Sequence, residues 1–417
     1  MTATKTASQH AAIQATNAAF LAYSGAKPGP VQLGTINSGS SGGATSGLVS
    51  FNPNEPVVAP RWAEEVEIYA ELPYAITVPA GATCYVSPFG FWSSLITRLT
   101  IAGSPPWDNI SLVPFYLDQI VRRQNFDPTQ AGPSPYPVQQ DQGPWAYTTG
   151  NASVIPGASL AAGTYTGTAK FTASIRLQRR LNTTFGMIPM GSANDRPSLR
   201  MYMAPLVGPF PEQNVIQDPA NSGATASLTA NGTVILIWRS KGPDQLPPGV
   251  TVAAPTVGLG LEIDYYQTQV QNAGSVVAIP HRSAMLYLYE YHILVSNQQV
   301  VDADYFASLL TGEVQNPRFI YDASENNMQS YFKDTQYRYQ RFLPKGVLVN
   351  DMTGGAIPEL PTETPYIAAM SSDEGYATAF GIAYTPAMAT AVRFPSGTTM
   401  TSAYIATYSF GYVEVPY

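Results

Sequence analysis

Apolar and polar residues alternate along much of this chain with a period of two, the signature of strands with one buried and one wet face. In Val66-Glu67-Ile68-Tyr69-Ala70-Glu71-Leu72, carboxylates separate the apolar positions. Phe171, Ala173, Ile175 and Leu177 alternate with Lys170, Thr172, Ser174 and Arg176, and Leu199, Met201 and Met203 with Arg200 and Tyr202. Further β-rich runs lie at Val234 to Trp238, Leu261 to Tyr266, Met285 to Val295, Gly346 to Asn350 and Tyr404 to Val415. Pro and Gly clusters such as Ser104-Pro105-Pro106 and Gly132-Pro133-Ser134-Pro135 punctuate the intervals, which is turn chemistry. Helical spacing is confined to Ala7 to Tyr23, Leu112 to Arg123 and Asp302 to Leu310. Residues Ser24 to Asn54 are dominated by Gly, Ser, Pro and Thr and read as a flexible arm.

The expected class is therefore all-β. No fixed repeat points to a propeller, so many short strands with long loops favour sandwiches or jelly rolls. A chain of 417 residues exceeds what one core usually holds. The division expected is an N-terminal helix and arm over 1–55, a first eight-stranded jelly roll over 56–270 and a second over 271–417, with the boundary at Gln271 to Gly274.

Composition sharpens this picture. Charged residues are only 12% of the chain, with 36 Pro, 34 Gly and 26 Tyr, where soluble proteins average about 25% charged. A surface so poor in charge suits an exterior covered by protein neighbours. The net charge of −7, with its 21 Lys and Arg scattered, argues against direct contact with nucleic acid, which needs a dense basic patch. Cys84 is the one cysteine, so no internal disulfide framework is expected. No apolar run approaches the ~20 residues of a membrane span, and Met1 to Tyr23 has no apolar core of signal-peptide type.

The candidate chemistry is sparse. Gly39-Ser40-Ser41-Gly42-Gly43 satisfies the G-x-S-x-G pattern, but within low-complexity sequence rather than at a strand-to-helix turn. His10, His281 and His292 lack metal-ligand spacing. Glu65, Glu67 and Glu71 share the polar face of one strand, and Asp373-Glu374-Gly375 reads as a turn rather than a calcium loop. The Asn109, Asn151, Asn182 and Asn231 sequons are close to chance in so Asn- and Ser/Thr-rich a chain. No catalytic residue, cofactor or metal ligand is assigned.

The aromatics carry more. Tyr331, Phe332, Tyr337, Tyr339 and Phe342 cluster late in the chain, and Tyr287, Tyr289 and Tyr291 are spaced for one strand face. Large rigid side chains with a polar tip suit subunit contacts. Tyr337, Tyr339 and Phe342, with Ile13, Phe20 and Leu21 of the first helix, are the interface candidates. The helix is too short and weakly amphipathic to stand alone and is expected to dock on a neighbouring subunit or a membrane surface. A competing explanation is a secreted or surface jelly-roll protein that binds or cleaves carbohydrate, its aromatics lining a sugar groove.

Three segments, in order, resemble a known family. They are Pro88-Phe89-Gly90-Phe91-Trp92-Ser93-Ser94-Leu95-Ile96-Thr97-Arg98-Leu99, the helical stretch after it, and Arg341-Phe342-Leu343-Pro344-Lys345-Gly346-Val347-Leu348-Val349-Asn350-Asp351. Together with a short N-terminal helix they resemble the major capsid proteins of tectiviruses, tailless phages with an internal membrane, within the wider double jelly-roll lineage. The resemblance implies a homotrimer of two jelly rolls per chain that forms pseudo-hexagonal blocks of an icosahedral shell. It also implies minor capsid and vertex proteins and the internal membrane as partners, and the virion, after synthesis in host cytoplasm, as location.

Overall fold

In the computed structural model, the residues described are 7–37, 49–51, 61–101, 104–122, 147–149, 154, 157–178, 183–190, 197–243, 246–270, 276–280, 282, 285–300, 314–316, 319–320, 347–351, 382–383, 390–393 and 402–415. Eight strands build the first unit: β1 (Ser24–Ile36), β2 (Val49–Phe51), β3 (Trp62–Val86), β4 (Leu95–Ile101), β5 (Ser104–Ser111), β6 (Ser159–Arg176), β7 (Ser198–Met203) and β8 (Gly232–Pro243). Eight more build the second: β9 (Leu259–Gln269), β10 (Val276–Ile279), β11 (Leu286–Ser296), β12 (Val314–Asn316), β13 (Phe319–Ile320), β14 (Val347–Asp351), β15 (Thr390–Arg393) and β16 (Tyr404–Glu414).

Pairing defines the topology. In the first unit the sheets run β1-β8-β3-β6 and β2-β7-β4-β5, with short strands added at the margins of β3 and β6. In the second they run β9-β16-β11-β14 and β10-β15-β12-β13. The second order is the first with eight added to every number, and every pairing within these orders is antiparallel. Each unit is an eight-stranded jelly roll of two Greek keys.

Alternation builds the first core. Val66, Ile68, Ala70 and Leu72 of β3, Phe171, Ala173 and Ile175 of β6, Leu199, Met201 and Met203 of β7, and Val234, Leu236 and Trp238 of β8 are all buried. Their neighbours on the polar face form cross-strand pairs, Glu67 with Arg239 at 2.5 Å and Glu71 with Lys170 at 2.8 Å. The row of carboxylates is thus spent on sheet pairing. Trp92 fills the space between the sheets, its ring centroid 5.4 Å from that of Tyr116 and 5.5 Å from that of Phe171. Tyr116 belongs to α2 (Val113–Arg122), the helix expected at Leu112 to Arg123; the Asp302 to Leu310 helix lies outside the described residues.

The structure departs from the sequence reading at the arm. Ser24 to Ile36 is not a flexible tether but β1, paired antiparallel to β8 from Ser24↔Pro243 to Ile36↔Gly232, and Val49–Phe51 is β2. The first roll thus begins at Ser24, not near residue 56. Backbone hydrogen bonding to β8 makes this strand, not side-chain hydrophobicity. Gly34 lets the facing sheet close in: a Cβ there would collide with Val49 and the ring of Phe51.

The boundary between rolls also moves. Leu259–Gln269, expected in the first roll, pairs along its full length with Tyr404–Glu414. The connector therefore precedes β9, between Pro243 and Leu259. Strand membership is decided by a partner 135 to 155 residues away, which local pattern does not reveal.

The N-terminal helix α1 spans Ala7–Tyr23 as expected, but it docks on its own chain. Phe20 is 1% exposed, packed with Trp62, Met187 and Val257, and Leu21 lies against the same cluster. Asn17 donates through Nδ2 to Thr184 Oγ1 (3.0 Å) and the Thr256 carbonyl (2.9 Å), and its Oδ1 accepts from the Thr256 amide at 2.9 Å. A short, weakly amphipathic helix takes the nearest apolar surface, here beside the inter-roll connector. Ile13 is only partly buried. Phe20→Ala should lower stability by about 3–5 kcal/mol, as for other large-to-small core changes, measured as a fall in urea midpoint with unchanged slope. A loss below about 1 kcal/mol would mean that the helix is not docked in solution.

Candidate functional site at the seam between the rolls

In the sheet β9-β16-β11-β14, strand β16 is covered on both faces. Along β16, Tyr404 to Tyr412 are all buried, so Tyr404-Ile405-Ala406-Thr407-Tyr408-Ser409-Phe410-Gly411-Tyr412 has no wet side. One face, with Tyr404, Ala406, Tyr408, Phe410 and Tyr412 of β16 and Tyr291, Ile293 and Val295 of β11, joins the core cluster of the first roll. The other carries Thr407 and Ser409 with Glu290 and His292 into the interior of the second roll.

The first face meets the first roll through β5, α2 and nearby turns. Tyr408 and Ser111 share a hydrogen bond of 3.1 Å between their hydroxyls. Phe115 of α2 stands edge-on to Phe410 with ring centroids 6.2 Å apart, and Phe185 edge-on to Tyr412 at 5.7 Å. Edge-to-face packing of this kind adds to simple area burial.

Glu212 is the polar pin of the seam. It lies in the 3₁₀ turn Pro211–Gln213 of the first roll and is fully buried. Its Oε1 accepts from the Tyr265 hydroxyl at 2.6 Å and from Gln267 Nε2 at 2.9 Å, both on β9. Its Oε2 accepts from the Tyr404 hydroxyl of β16. Burial, then the nearby carboxylate, pushes the Tyr265 and Tyr404 phenols far above their ordinary value. Both therefore stay protonated donors to the buried Glu212 side chain.

Beside the pin runs a groove of about 960 Å³. Trp107, Asn109 and Tyr202 line it from the first roll, and Glu262, Asp264 and Arg282 from the second. Arg282 pairs with Asp264 at 2.6 Å and with Glu262. Desolvation, opposed by that guanidinium, raises the Asp264 carboxyl. Tyr202 donates to Asn109 Oδ1 at 2.8 Å, and Asn109 holds a left-handed φ of 54°.

The residues singled out from sequence fall in different places. His292 is buried inside the second roll, its Nδ1 3.0 Å from Thr407 Oγ1 and its Nε2 3.4 Å from Glu290. Among the described residues no group of three or more His, Cys, Asp and Glu could hold a metal. Tyr287 and Tyr291 are both buried, but a bulge between Tyr287 and Tyr289 breaks the period. Burial, chiefly, raises Tyr287 to about 12. Tyr331, Phe332, Tyr337, Tyr339, Phe342, His281, Gly39 to Gly43 and Asp373 to Gly375 lie outside the described residues. Sequence reading missed Glu212, Tyr265 and Tyr404 as a unit; the one available signal was the absence of any charged residue from Tyr404 to Tyr412, which suits a strand buried on both faces.

Replacing Glu212 by Ala leaves two phenols and an amide without their acceptor inside the seam. This should cost about 3 kcal/mol or more, read as a lower denaturant midpoint, with Glu212→Gln intermediate. A change within about 0.5 kcal/mol would show that the pin does not hold the rolls together.

The alkaline limit follows from the tyrosines. Burial raises Tyr116, Tyr265, Tyr266, Tyr404 and Tyr408 above their ordinary value. A folded pKa above the unfolded one means stability is fully present below the unfolded value of about 10 and is lost as pH rises beyond it. Phenolate absorbance should thus appear together with loss of near-UV circular dichroism. If all the tyrosines, these five included, ionise at pH about 10 with tertiary structure intact, the five are not buried.

No protein-family model and no curated protein matches the chain. Similar solved structures include the major capsid protein of Sulfolobus turreted icosahedral virus, at 10% identity over 93% of this chain and 98% of that one, TM-score 0.48. The major capsid protein of bacteriophage PM2 is similar at 10% identity, over 93% of this chain and 99% of that one, TM-score 0.43. The PBCV-1 virus capsid is similar at 12% identity, over 93% and 94%, TM-score 0.46. Its own strand order, repeated without change from one half to the next, makes this chain a double jelly-roll protein.

Proposed function

We propose that the chain is the major capsid protein of an icosahedral virus with an internal membrane, working as a structural homotrimer and not as an enzyme. The observation that carries the reading is the repeated strand order within one chain. Two like units held side by side by a buried seam give, in three copies, six similar blocks around an axis. Such a ring tiles a hexagonal lattice. Support comes also from the 12% charged content, which suits a protein enclosed by neighbours, and from the three segments that resemble tectivirus coat proteins.

On this reading minor capsid and vertex proteins border the trimers. Tyr337, Tyr339 and Phe342 belong to subunit contacts, since so aromatic a run suits burial between proteins. The internal membrane is the partner for the exposed side of α1, where Ala11, Ala12, Ala15 and Ala18 face outward, while Phe20 is committed to the chain's own core. The protein is made in host cytoplasm and resides in the virion shell.

Light scattering coupled to size exclusion tests the proposal. The expected mass is about three times 44.7 kDa; a monomer at micromolar concentration would sink it.

A further inference from the structure

Strand β9 pairs with β16 along one side, and its other side is an open sheet edge beside the groove between the rolls. Hydrogen bonds at its two ends fix which residues face that edge. Val270 donates to the Ala403 carbonyl at 2.9 Å and the Gly258 carbonyl accepts from the Val415 amide at 3.0 Å, so even-numbered positions carry the bonds to β16. Leu259 turns its carbonyl the other way, to the Gly186 amide at 2.8 Å. Alternation along the strand then directs the N–H and C=O of Leu261, Ile263, Tyr265 and Gln267 to the groove side. Among the described residues no backbone hydrogen bond reaches these groups.

A row of unpaired backbone donors and acceptors is a template for another strand. Sheet edges that stay single are guarded by proline, lysine or a bulge. Across the groove, β5 carries Pro105 and Pro106. Strand β9 contains neither proline nor lysine, and its register with β16 runs unbroken from Leu259 to Gln269.

The groove has room for one strand. Leu261 to Gln267 spans about 20 Å at about 3.4 Å per residue. A volume of about 960 Å³ spread over that length is about 50 Å² in section, which matches one strand at about 4.8 Å by 10 Å. That section is too narrow for the edge of a folded sheet, and α1 and β16 are spent inside this chain, so the occupant is an extended arm of a different protein. The ionic groups nearby are matched within the chain, Arg98 with Asp108 at 3.4 Å and Arg282 with Asp264 and Glu262. Phe210, 46% exposed, stands on the first-roll wall. An uncharged segment with apolar side chains at alternate positions fits these surroundings.

We infer that the open edge of β9 binds an extended, uncharged segment of a second virion protein by strand addition. Main-chain bonds to Leu261, Ile263, Tyr265 and Gln267 supply the affinity, and Phe210 reads the alternate side chains. This rests on the capsid reading above and gives the minor proteins proposed there a place to dock.

Hydrogen exchange resolved to single amides tests it, on the full chain as the isolated oligomer and in assembled particles. In the isolated oligomer the amides of Ile263, Tyr265 and Gln267 should exchange at least about tenfold faster than those of Glu262, Asp264 and Tyr266. In particles the odd-numbered amides should slow by about tenfold or more, and benzoylphenylalanine in place of Phe210 should crosslink to a different virion protein. Odd-numbered amides that exchange equally fast in particles, or that are already protected in the isolated oligomer, overturn the inference and leave the capsid reading intact. Crosslinks to a second copy or to a glycan, or none at all, do the same. A chain that forms no shell overturns the capsid reading and this inference with it.

Discussion

The structure hangs on one strand, β16, that has no wet face from Tyr404 to Tyr412. With β9, β11 and β14 it forms a wall of the second jelly roll, and the residues of β9, β16 and β11 on its other side are pressed against the first. A strand buried on both sides must be apolar on both sides, or pair every polar atom it carries. The seam meets that demand with aromatic rings and with Glu212, whose carboxylate is surrounded by donors from Tyr265, Gln267 and Tyr404. An arrangement of this sort locks the relative orientation of the rolls, because every member has one geometry in which it is satisfied.

The rolls thereby become a single block, not two beads on a linker. The connector before β9 is bridged by α1, whose Asn17 holds Thr184 and Thr256 together and whose Phe20 sits among Trp62, Met187 and Val257. A component expected to reach out to a neighbour therefore acts as an internal clamp. On the function proposed above the consequence is mechanical: rigid blocks transmit lattice geometry, whereas hinged ones would average over it.

Tyrosine runs through this design because it can be buried along most of its length while its hydroxyl finds a partner. Tyr408 reaches Ser111 across the seam, Tyr266 reaches Ser409 at 3.0 Å within the second roll, and Tyr404 and Tyr265 share Glu212. The same residue type is left outward on the first roll at Tyr69, in the sheet topologically equivalent to the one that carries β16.

Much was legible in the order of residues alone. The alternation in Val66 to Leu72 and Phe171 to Leu177 determined which side chains face the core, because a strand's period of two leaves no other choice once one face is buried. Helical spacing located α1 and α2 for the same local reason. Only the tertiary structure decided that the Gly- and Pro-rich stretch from Ser24 is a strand, since its partner β8 lies some 200 residues away and backbone pairing needs no hydrophobic pattern. Only it decided that β9 belongs to the second roll and that Glu212 meets Tyr265 and Tyr404, contacts that join positions 53 and 192 residues apart. Local sequence specifies the period and the turn; long-range pairing specifies the partner, because which surfaces meet is settled by the burial of the whole chain.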